Sequence, residues 1–187
     1  MIEVQPIWDE VKLIIPKVWQ DNRGFFMESY HYQQLTTYGI KDHFIQDNHS
    51  LSVEKGTLRG LHYQLNPGSQ AKLIRVIRGS IFDVVVDIRR DSVNFGKWFS
   101  VEISDKNKKQ LYIPKGFAHG FCTLEANTEV IYKVDEYYYP ALDRGIIWND
   151  PTLQIDWPTS RPILSEKDKQ HPAFIHAEVF EDDYVTP

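Results

Sequence analysis

The stretch KLIRVIRGSIFDVVVDIRR, residues 72–90, decides the fold class, because β-branched residues fill it on both sides of a single glycine. Valine and isoleucine favour strands, and Gly79 interrupts the run where a turn between two strands is expected. Similar short apolar runs between turn residues recur at 12–19, 21–26, 96–104, 110–124 and 128–139. Strands at this spacing predict an all-β sandwich or barrel.

Two segments depart from the strand pattern and are predicted to be short helices. MESYHYQQLTTYG (27–39) ends at Gly39, and glycine commonly terminates helices. SEKDKQHP (165–172) places Ser165 three residues before Asp168, as in a capping box, with proline at the end. Because no repeat, linker or low-complexity tract interrupts the chain, residues 1–187 are predicted to form a single domain.

The composition excludes several classes of protein. Hydrophobic residues make up 42% of the chain, which indicates a folded protein, and the net charge of −5 without a Lys/Arg tract argues against nucleic-acid binding. No apolar stretch is long enough to span a membrane, and residues 1–19 lack the apolar core of a signal peptide. Cys122 is the only cysteine, predicted to be a small buried hydrophobe rather than a nucleophile. We therefore expect a cytoplasmic protein.

Cationic side chains lie where strands should fill a core. GTLRGLHYQLNPGSQAKLIRV (56–76) contains Arg59, His62 and Lys72 among apolar residues. Further along, IPKGFAHGF (113–121) has the pattern P-x-G-x-x-H ending at His119, which is similar to the second metal box of cupin jelly rolls. The two stretches together indicate a site at the mouth of a β-barrel.

The first cupin box departs from a metal-binding pattern. In that box two histidines and an acidic residue ligate the ion; His62 fits, but Gln64 stands at the second histidine and Lys72 at the acid. A protonated lysine only donates hydrogen bonds and repels a cation, so the sequence predicts no metal and no other cofactor. Lys72 can instead take the electrostatic place of the ion and stabilise negative charge on a substrate oxygen. The alternative is a lysine that extends from a strand edge into solvent.

Seven segments in the same order resemble one family, the dTDP-4-dehydrorhamnose 3,5-epimerases. They are DNRGFFMES, FIQDNHSLS, GTLRGLHYQ, IPKGFAHGF, VIYKVDEYY, WNDP and ILSEKD. The resemblance covers roughly residues 1–170, and the tail from about 173 to 187 lies outside it. It implies a cupin-like jelly roll that inverts C3 and C5 of dTDP-4-dehydro-6-deoxy-D-glucose through enolates, giving dTDP-4-dehydro-L-rhamnose for dTDP-L-rhamnose biosynthesis.

The resemblance also implies the catalytic roles. His62 is the expected base, Asp168 its carboxylate partner, Tyr132 the acid and Lys72 the group that stabilises the enolate. Taken without the family, His62 also fits a satisfied core histidine, Asp168 an acid at a helix start, and Tyr132 an ordinary strand aromatic.

The implied substrate-binding residues surround these four. In the family, Asp143 is usually a glutamate, so its contact has one methylene less of reach. The nine implied substrate-binding residues are Arg23, Glu28, Gln46, Asn48, Arg59, His119, Asp143, Lys167 and Tyr138. Taken alone, each of them also fits a solvated polar side chain. The resemblance further implies a homodimer in which a segment of about residues 1–26 joins the partner's sheet.

Three other functions remain open from the sequence. A related pathway could use the same residues to invert only C3 or only C5. A metal-dependent cupin isomerase or dioxygenase would hold one ion per chain, which metal analysis would detect. A non-catalytic module would bind the sugar nucleotide without exchanging its C3 and C5 protons with solvent.

Overall fold

The computed structural model describes residues 2–8 and 10–181, and antiparallel strands dominate it. In chain order the strands within these residues are β1 (Glu3–Ile7), β2 (Val11–Ile15), β3 (Trp19–Asp21), β4 (Gly24–Phe26), β5 (Gln46–Ser52), β6 (Leu58–Gln64), β7 (Lys72–Arg78), β8 (Ser80–Asp87), β9 (Trp98–Ser104), β10 (Gln110–Ile113), β11 (Phe117–Thr123), β12 (Thr128–Val134) and β13 (Asp143–Gly145). The helical elements are α1 (Tyr32–Thr37) and one 3-10 turn (Phe174–His176).

Two sheets form a sandwich. One has six strands in the order β1-β2-β10-β7-β12-β5, and the other has five in the order β13-β6-β11-β8-β9. Their inner faces share a buried cluster that includes Ile74 and Val130 from the six-stranded sheet and Val85 and Phe121 from the five-stranded sheet. Alternation along each strand places every second side chain in this core. The predicted all-β, cupin-like jelly roll is confirmed.

Several predicted strands are shorter than their apolar runs. The run 110–124 is divided between β10 and β11 by a tight turn at 114–116, where Gly116 adopts a φ of +91°. The run 128–139 ends as a strand at Val134, and the tyrosines after it lie in a loop. The turn at Gly79 between β7 and β8 is as predicted, with a φ of +77° that favours glycine.

Both predicted helices were too long. The segment 27–39 is helical only over Tyr32–Thr37, and Leu35 is its buried residue. With so little apolar surface to pack, a longer helix would gain no tertiary stabilisation. The segment 165–172 forms one turn instead of a helix: the Asp168 amide donates to Ser165 Oγ, as the predicted cap requires, but the chain then leaves the helical path before Pro172.

The N-terminal strands pair within their own chain. β2 lies between β1 and β10, while β3 and β4 form a separate hairpin. This hairpin exposes Trp19 (42%) and Phe26 (66%) to solvent. Exchange of residues 1–26 with a partner stays a prediction. Met1, Asp9 and the end of the predicted tail, 182–187, lie outside the described residues. Among the helices that the structure describes, none has the length and apolar character needed to cross a bilayer.

Candidate active site

A cavity of about 400 Å³ opens between the two sheets. It brings together seven of the residues predicted from the sequence, from both sheets and from the loop that precedes the C-terminal turn. These are Arg59, His62, Lys72, His119, Tyr132, Lys167 and Asp168. Apolar side chains such as Ile74, Phe121 and Val130 form most of the remaining wall, and the hydroxyl side chains of Ser50, Thr57 and Ser165 form the rest.

His62 and Asp168 form a hydrogen-bonded pair. His62 lies on β6, and its Nε2 is 2.5 Å from Oδ1 of Asp168, whose side chain is buried in the 164–172 loop. An ionised carboxylate only accepts hydrogen bonds, so Nε2 carries the proton and Nδ1 is left free to act as a base. Burial lowers the pKa of His62, and the Asp168 carboxylate opposes this only in part. The imidazole is therefore neutral near pH 7, as a general base must be.

Asp168 is held in its ionised form. Burial alone would raise the pKa of Asp168, but its contacts with His171 and His62 keep that pKa below the usual range of a carboxyl group. A carboxylate in this position fixes the tautomer of the imidazole and stabilises the imidazolium that forms when it takes up a proton.

Lys72 begins β7 and faces the cavity from the sheet opposite His62. Burial lowers the pKa of Lys72 to about 8, while the carboxylates of Asp143 and Asp83 act in the opposite direction. Its ammonium group is thus mostly charged at neutral pH, although it lies in a poorly solvated place. A charge of this kind interacts strongly with an anion formed nearby, because the surrounding dielectric constant is low.

His119 is paired with a residue that the sequence analysis missed. Its Nε2 lies 3.0 Å from both carboxylate oxygens of Asp83 on β8. Burial raises the pKa of Asp83, and the contact with His119 and the charge of Lys72 lower it. Asp83 interrupts the apolar run IFDVVVD, and a lone carboxylate in a strand that is otherwise apolar could have signalled a buried partner.

Gln64, at the second histidine position of the cupin box, does not face the cavity. Its amide donates to the carbonyls of Gly68 and Tyr137 and accepts from the Tyr139 amide. It therefore holds two loops together. With its amide used in this way and with an ammonium group at Lys72, the cupin donor set does not fit a metal ion.

A different set of ligating atoms does lie close together. Among the described residues, donor atoms of His62, Asp168 and His171 all fall within 4.8 Å of one another. Two imidazoles and a carboxylate can bind a divalent ion, but here the His62–Asp168 hydrogen bond occupies the space between two of the donors. We interpret the group as a hydrogen-bonded His62–Asp168 pair with His171 packed beside it.

Tyr132 faces the same cavity from β12. Burial raises the pKa of Tyr132, and the nearby charge of Arg59 lowers it in part. The phenol is therefore protonated at neutral pH and can act as an acid. Arg59 itself donates to Ser52 Oγ and to the Leu51 carbonyl, so β6 is tied to β5 across the mouth of the sandwich.

A smaller polar cluster joins the predicted binding residues near the 135–143 loop. The Tyr138 hydroxyl donates to Asp143 Oδ2 at 2.7 Å, and the ammonium group of Lys167 contacts the same oxygen. Burial tends to raise the pKa of Asp143, but these two donors bring it below the usual range. Lys167 also lines the cavity, so the cluster connects the exposed ring of Tyr138 to the site.

Asp143 and Tyr138 reach the cavity only through Lys167, and four further predicted binding residues lie apart from both the lining and this cluster. The Arg23 side chain is 86% exposed and pairs with Asp21. Glu28 accepts a hydrogen bond from Gln34 at 3.2 Å. Two further residues, Gln46 and Asn48, bond to each other along β5, and Asn48 is opposite Tyr132 in the strand register.

Cys122 is fully buried, and burial raises the pKa of its thiol to about 11. A thiolate at this position is strongly disfavoured near pH 7. The prediction of a small buried hydrophobe is confirmed.

The fold and this cavity define the class of protein: a cupin-like jelly roll whose cavity is lined by imidazole, carboxylate, ammonium and phenol groups. The family model described as dTDP-4-dehydrorhamnose 3,5-epimerase matches residues 7–176. The chain belongs to this family, and the resemblance seen in the sequence is confirmed.

Relatives are similar over almost the whole chain. The dTDP-4-dehydrorhamnose 3,5-epimerase of Shigella flexneri is 49% identical over 172 residues, which is 91% of this chain and 94% of the relative. The enzyme of Bacillus anthracis, solved with TDP and PPi bound, is 50% identical, with a TM-score of 0.91 over 92% of this chain and 99% of that one. The Legionella pneumophila enzyme, solved with dTDP-4-keto-L-rhamnose, is 42% identical, with a TM-score of 0.92 over 98% and 100%.

Proposed function

We propose that this chain inverts both C3 and C5 of dTDP-4-dehydro-6-deoxy-D-glucose, giving dTDP-4-dehydro-L-rhamnose. One observation supports this most directly: the base candidate and the acid candidate reach one cavity from facing sheets, His62 from β6 and Tyr132 from β12. Inversion requires that a proton leave one face of a carbon and that another arrive at the opposite face, so groups on facing walls suit the reaction.

The intermediate explains the cationic residues. C3 and C5 both flank the C4 ketone, so loss of either proton gives an enolate with its charge on O4. Lys72 supplies the charge that stabilises this oxygen, and His119, held by Asp83, supplies a hydrogen-bonding group in the same cavity. The role of the ion in metal-dependent cupins is thus taken by an ammonium group.

Proton balance predicts exchange with solvent. In each inversion His62 gains the proton taken from carbon, and Tyr132 loses the proton that it donates. Both groups must return to their starting states before the second centre reacts, His62 by releasing a proton to water and Tyr132 by taking one up. Each inverted carbon therefore acquires a proton of solvent origin.

The test is the conversion of dTDP-4-dehydro-6-deoxy-D-glucose in D2O, followed by NMR. We expect deuterium at both C3 and C5 and a product with the L configuration. Deuterium and inversion at one centre only would favour the single-centre epimerase, and binding without any exchange would favour the non-catalytic module.

Replacing the acid separates proton removal from inversion. In Tyr132→Phe the ring still packs in the inner core, but the proton donor is gone. We expect exchange to continue at one centre, because His62 can return a deuteron to the face from which it took the proton, whereas the doubly inverted product falls about 100-fold or more. NMR in D2O measures both rates. Inversion at the wild-type rate would contradict the assignment of Tyr132.

We also propose that one side of the site binds the nucleotide. Arg23, Glu28, Gln46, Asn48, Asp143 and Tyr138 are assigned to the nucleoside diphosphate on the resemblance, and the Tyr138–Asp143–Lys167 cluster supports the assignment because it connects the cavity to an exposed aromatic ring. The TDP bound to the Bacillus anthracis relative supports a nucleotide ligand. We also propose that residues 1–187 form a single domain and that the protein is cytoplasmic.

A homodimer is part of the same proposal. The exposed β3–β4 hairpin carries Arg23 and three aromatic rings, those of Trp19, Phe25 and Phe26, away from their own cavity, which suits residues that serve a partner's site. If Arg23 acts in the partner's site, mixing Arg23→Ala with His62→Ala subunits creates dimers with one complete site. Random reassortment should restore roughly one quarter of wild-type activity.

The control for reassortment is the pair Lys72→Met and His62→Ala. Both residues lie in the same cavity, so each site of a mixed dimer keeps one lesion and no activity should return. If the Arg23→Ala mixture also recovers nothing while mixed dimers form, Arg23 does not act across the interface.

A further inference from the structure

His171 lies beside the His62–Asp168 pair and has no role in the function proposed so far. Its Nε2 is 3.4 Å from Oδ1 of Asp168, the same oxygen that His62 contacts at 2.5 Å. The two imidazole rings meet edge to face, with centroids 5.5 Å apart. The His171 side chain is only 9% exposed, and among the described residues its Nε2 has no hydrogen-bond partner.

The backbone leaves room for this ring. Gly145 on β13 is opposite His62 in the strand register, and a Cβ built at Gly145 would overlap the His171 ring. The absence of a side chain at that position lets the imidazole lie flat against the strand next to the base. The packing thus fixes His171 from one side, and its buried Nε2 lies 3.4 Å from the Asp168 carboxylate.

We propose that His171 is a positioning residue of the His62–Asp168 pair, holding the shared carboxylate oxygen so that the His62 ring keeps the orientation and tautomer needed for proton removal. This inference rests on the proposed function. His171 acts through Asp168; it does not line the cavity and is not assigned contact with substrate.

The chemistry of the contact has a definite direction. With a proton on Nε2, His171 presents a second donor to Asp168 Oδ1, and the separation of 3.4 Å is slightly longer than a normal hydrogen bond. A second donor makes the carboxylate less basic, so the shared proton stays on His62. Burial is the largest cause that lowers the pKa of His62, and the direct electrostatic interaction with His171 lowers it further.

Other charged groups near His62 also shift its pKa. Asp168 raises the pKa of His62, whereas Lys72 lowers it. On the neighbouring strands, Asp143 of β13 interacts with the charge of His62, and His119 of β11 is opposite it in the register. These groups are present in every variant below, so a change on replacing His171 reports on that residue.

The test compares two replacements. His171→Phe keeps a flat ring over Gly145 but removes the donor, and His171→Gln keeps an amide donor near the position of Nε2. We expect His171→Phe to lower kcat about 10- to 100-fold, the usual size of effect when an outer partner of an oriented active-site group is lost. We also expect it to move the acid limb of the kcat/KM profile, and the His62 titration observed by imidazole NMR, to higher pH. His171→Gln should restore most of both properties.

Two further variants complete the design. His176→Phe changes an exposed histidine five residues away and should behave as wild type. Gly145→Ala should displace the ring and shift the His62 titration in the same direction as His171→Phe. A His171→Phe protein with wild-type kcat and an unshifted His62 titration would overturn the inference. So would a His171→Phe protein that loses kcat without a shift of the His62 titration, if His171→Gln loses kcat to the same extent. If wild type itself fails to epimerise, the proposed function is wrong, and the NMR titration still decides the role of His171.

Discussion

His62→Ala is expected to abolish exchange of the C3 and C5 protons with solvent, with a fall of roughly 1000-fold in rate. In the proposed mechanism, the imidazole of His62 takes the protons from carbon. Burial lowers the pKa of His62 and so keeps the imidazole neutral at the pH where it works. The measurement is deuterium incorporation by NMR at saturating substrate.

Binding provides the control for this variant. His62 is one group among several in the cavity, so affinity for dTDP, measured by calorimetry, should change little. His49→Ala replaces an exposed histidine on the outer face of the six-stranded sheet and should exchange at the wild-type rate. Exchange by His62→Ala within tenfold of wild type would show that another residue is the base.

Lys72→Met is expected to remove activity and, at the same time, to stabilise the fold. The enolate loses its cationic partner, so kcat should fall about 100- to 1000-fold. The pKa of Lys72 is about 8 instead of the 10.5 of an ordinary lysine, and the difference corresponds to a cost of about 3 kcal/mol for keeping the charge in the folded protein. Methionine has a similar length and no charge, so the free energy of unfolding at pH 7 should rise by an amount of that order.

The pH dependence of stability gives an independent check. Below pH 8 the folded and unfolded chains both hold the Lys72 proton, and the cost is present in full. Between about pH 8 and 10.5 the unfolded chain binds this proton and the folded chain does not, so wild-type stability should rise with pH relative to Lys72→Met. Urea unfolding at several pH values measures the free energy of unfolding of both proteins. Lys97→Met, which replaces an exposed lysine, is the matched control. A Met variant that is less stable at every pH would contradict the assignment of a costly buried charge.

Much of the fold could be predicted because local sequence determines it. β-branched runs and turn glycines specify strands such as β7 and β8 without reference to the rest of the chain. The wrong secondary-structure predictions lie where contacts between residues far apart in the sequence determine the conformation. The aromatic residues 137–139 favour a strand by composition, yet the Tyr139 amide donates to Gln64, and the segment follows that contact as a loop. The helix over 27–39 is shortened because Leu35 is its one buried residue.

The site could be predicted in part for the same reason. His62, Lys72 and His119 occur in boxes with fixed spacing, so their convergence on one cavity follows from the jelly-roll topology. Asp83 and His171 contact partners 36 and 3 residues away, and no spacing rule predicts those contacts. Asp83 had a recognisable signal, a carboxylate within an apolar strand. His171 had none, because its place depends on Gly145 being opposite His62.

In the proposed function, the Lys72 ammonium group performs the task that a metal ion performs in other cupins. The most direct test of this claim is metal analysis of fully active protein, combined with activity after dialysis against a strong chelator. We predict far less than one equivalent of bound transition metal per chain and unchanged epimerase activity after dialysis. One tightly bound ion per chain, whose removal abolishes activity and whose return restores it, would contradict the claim.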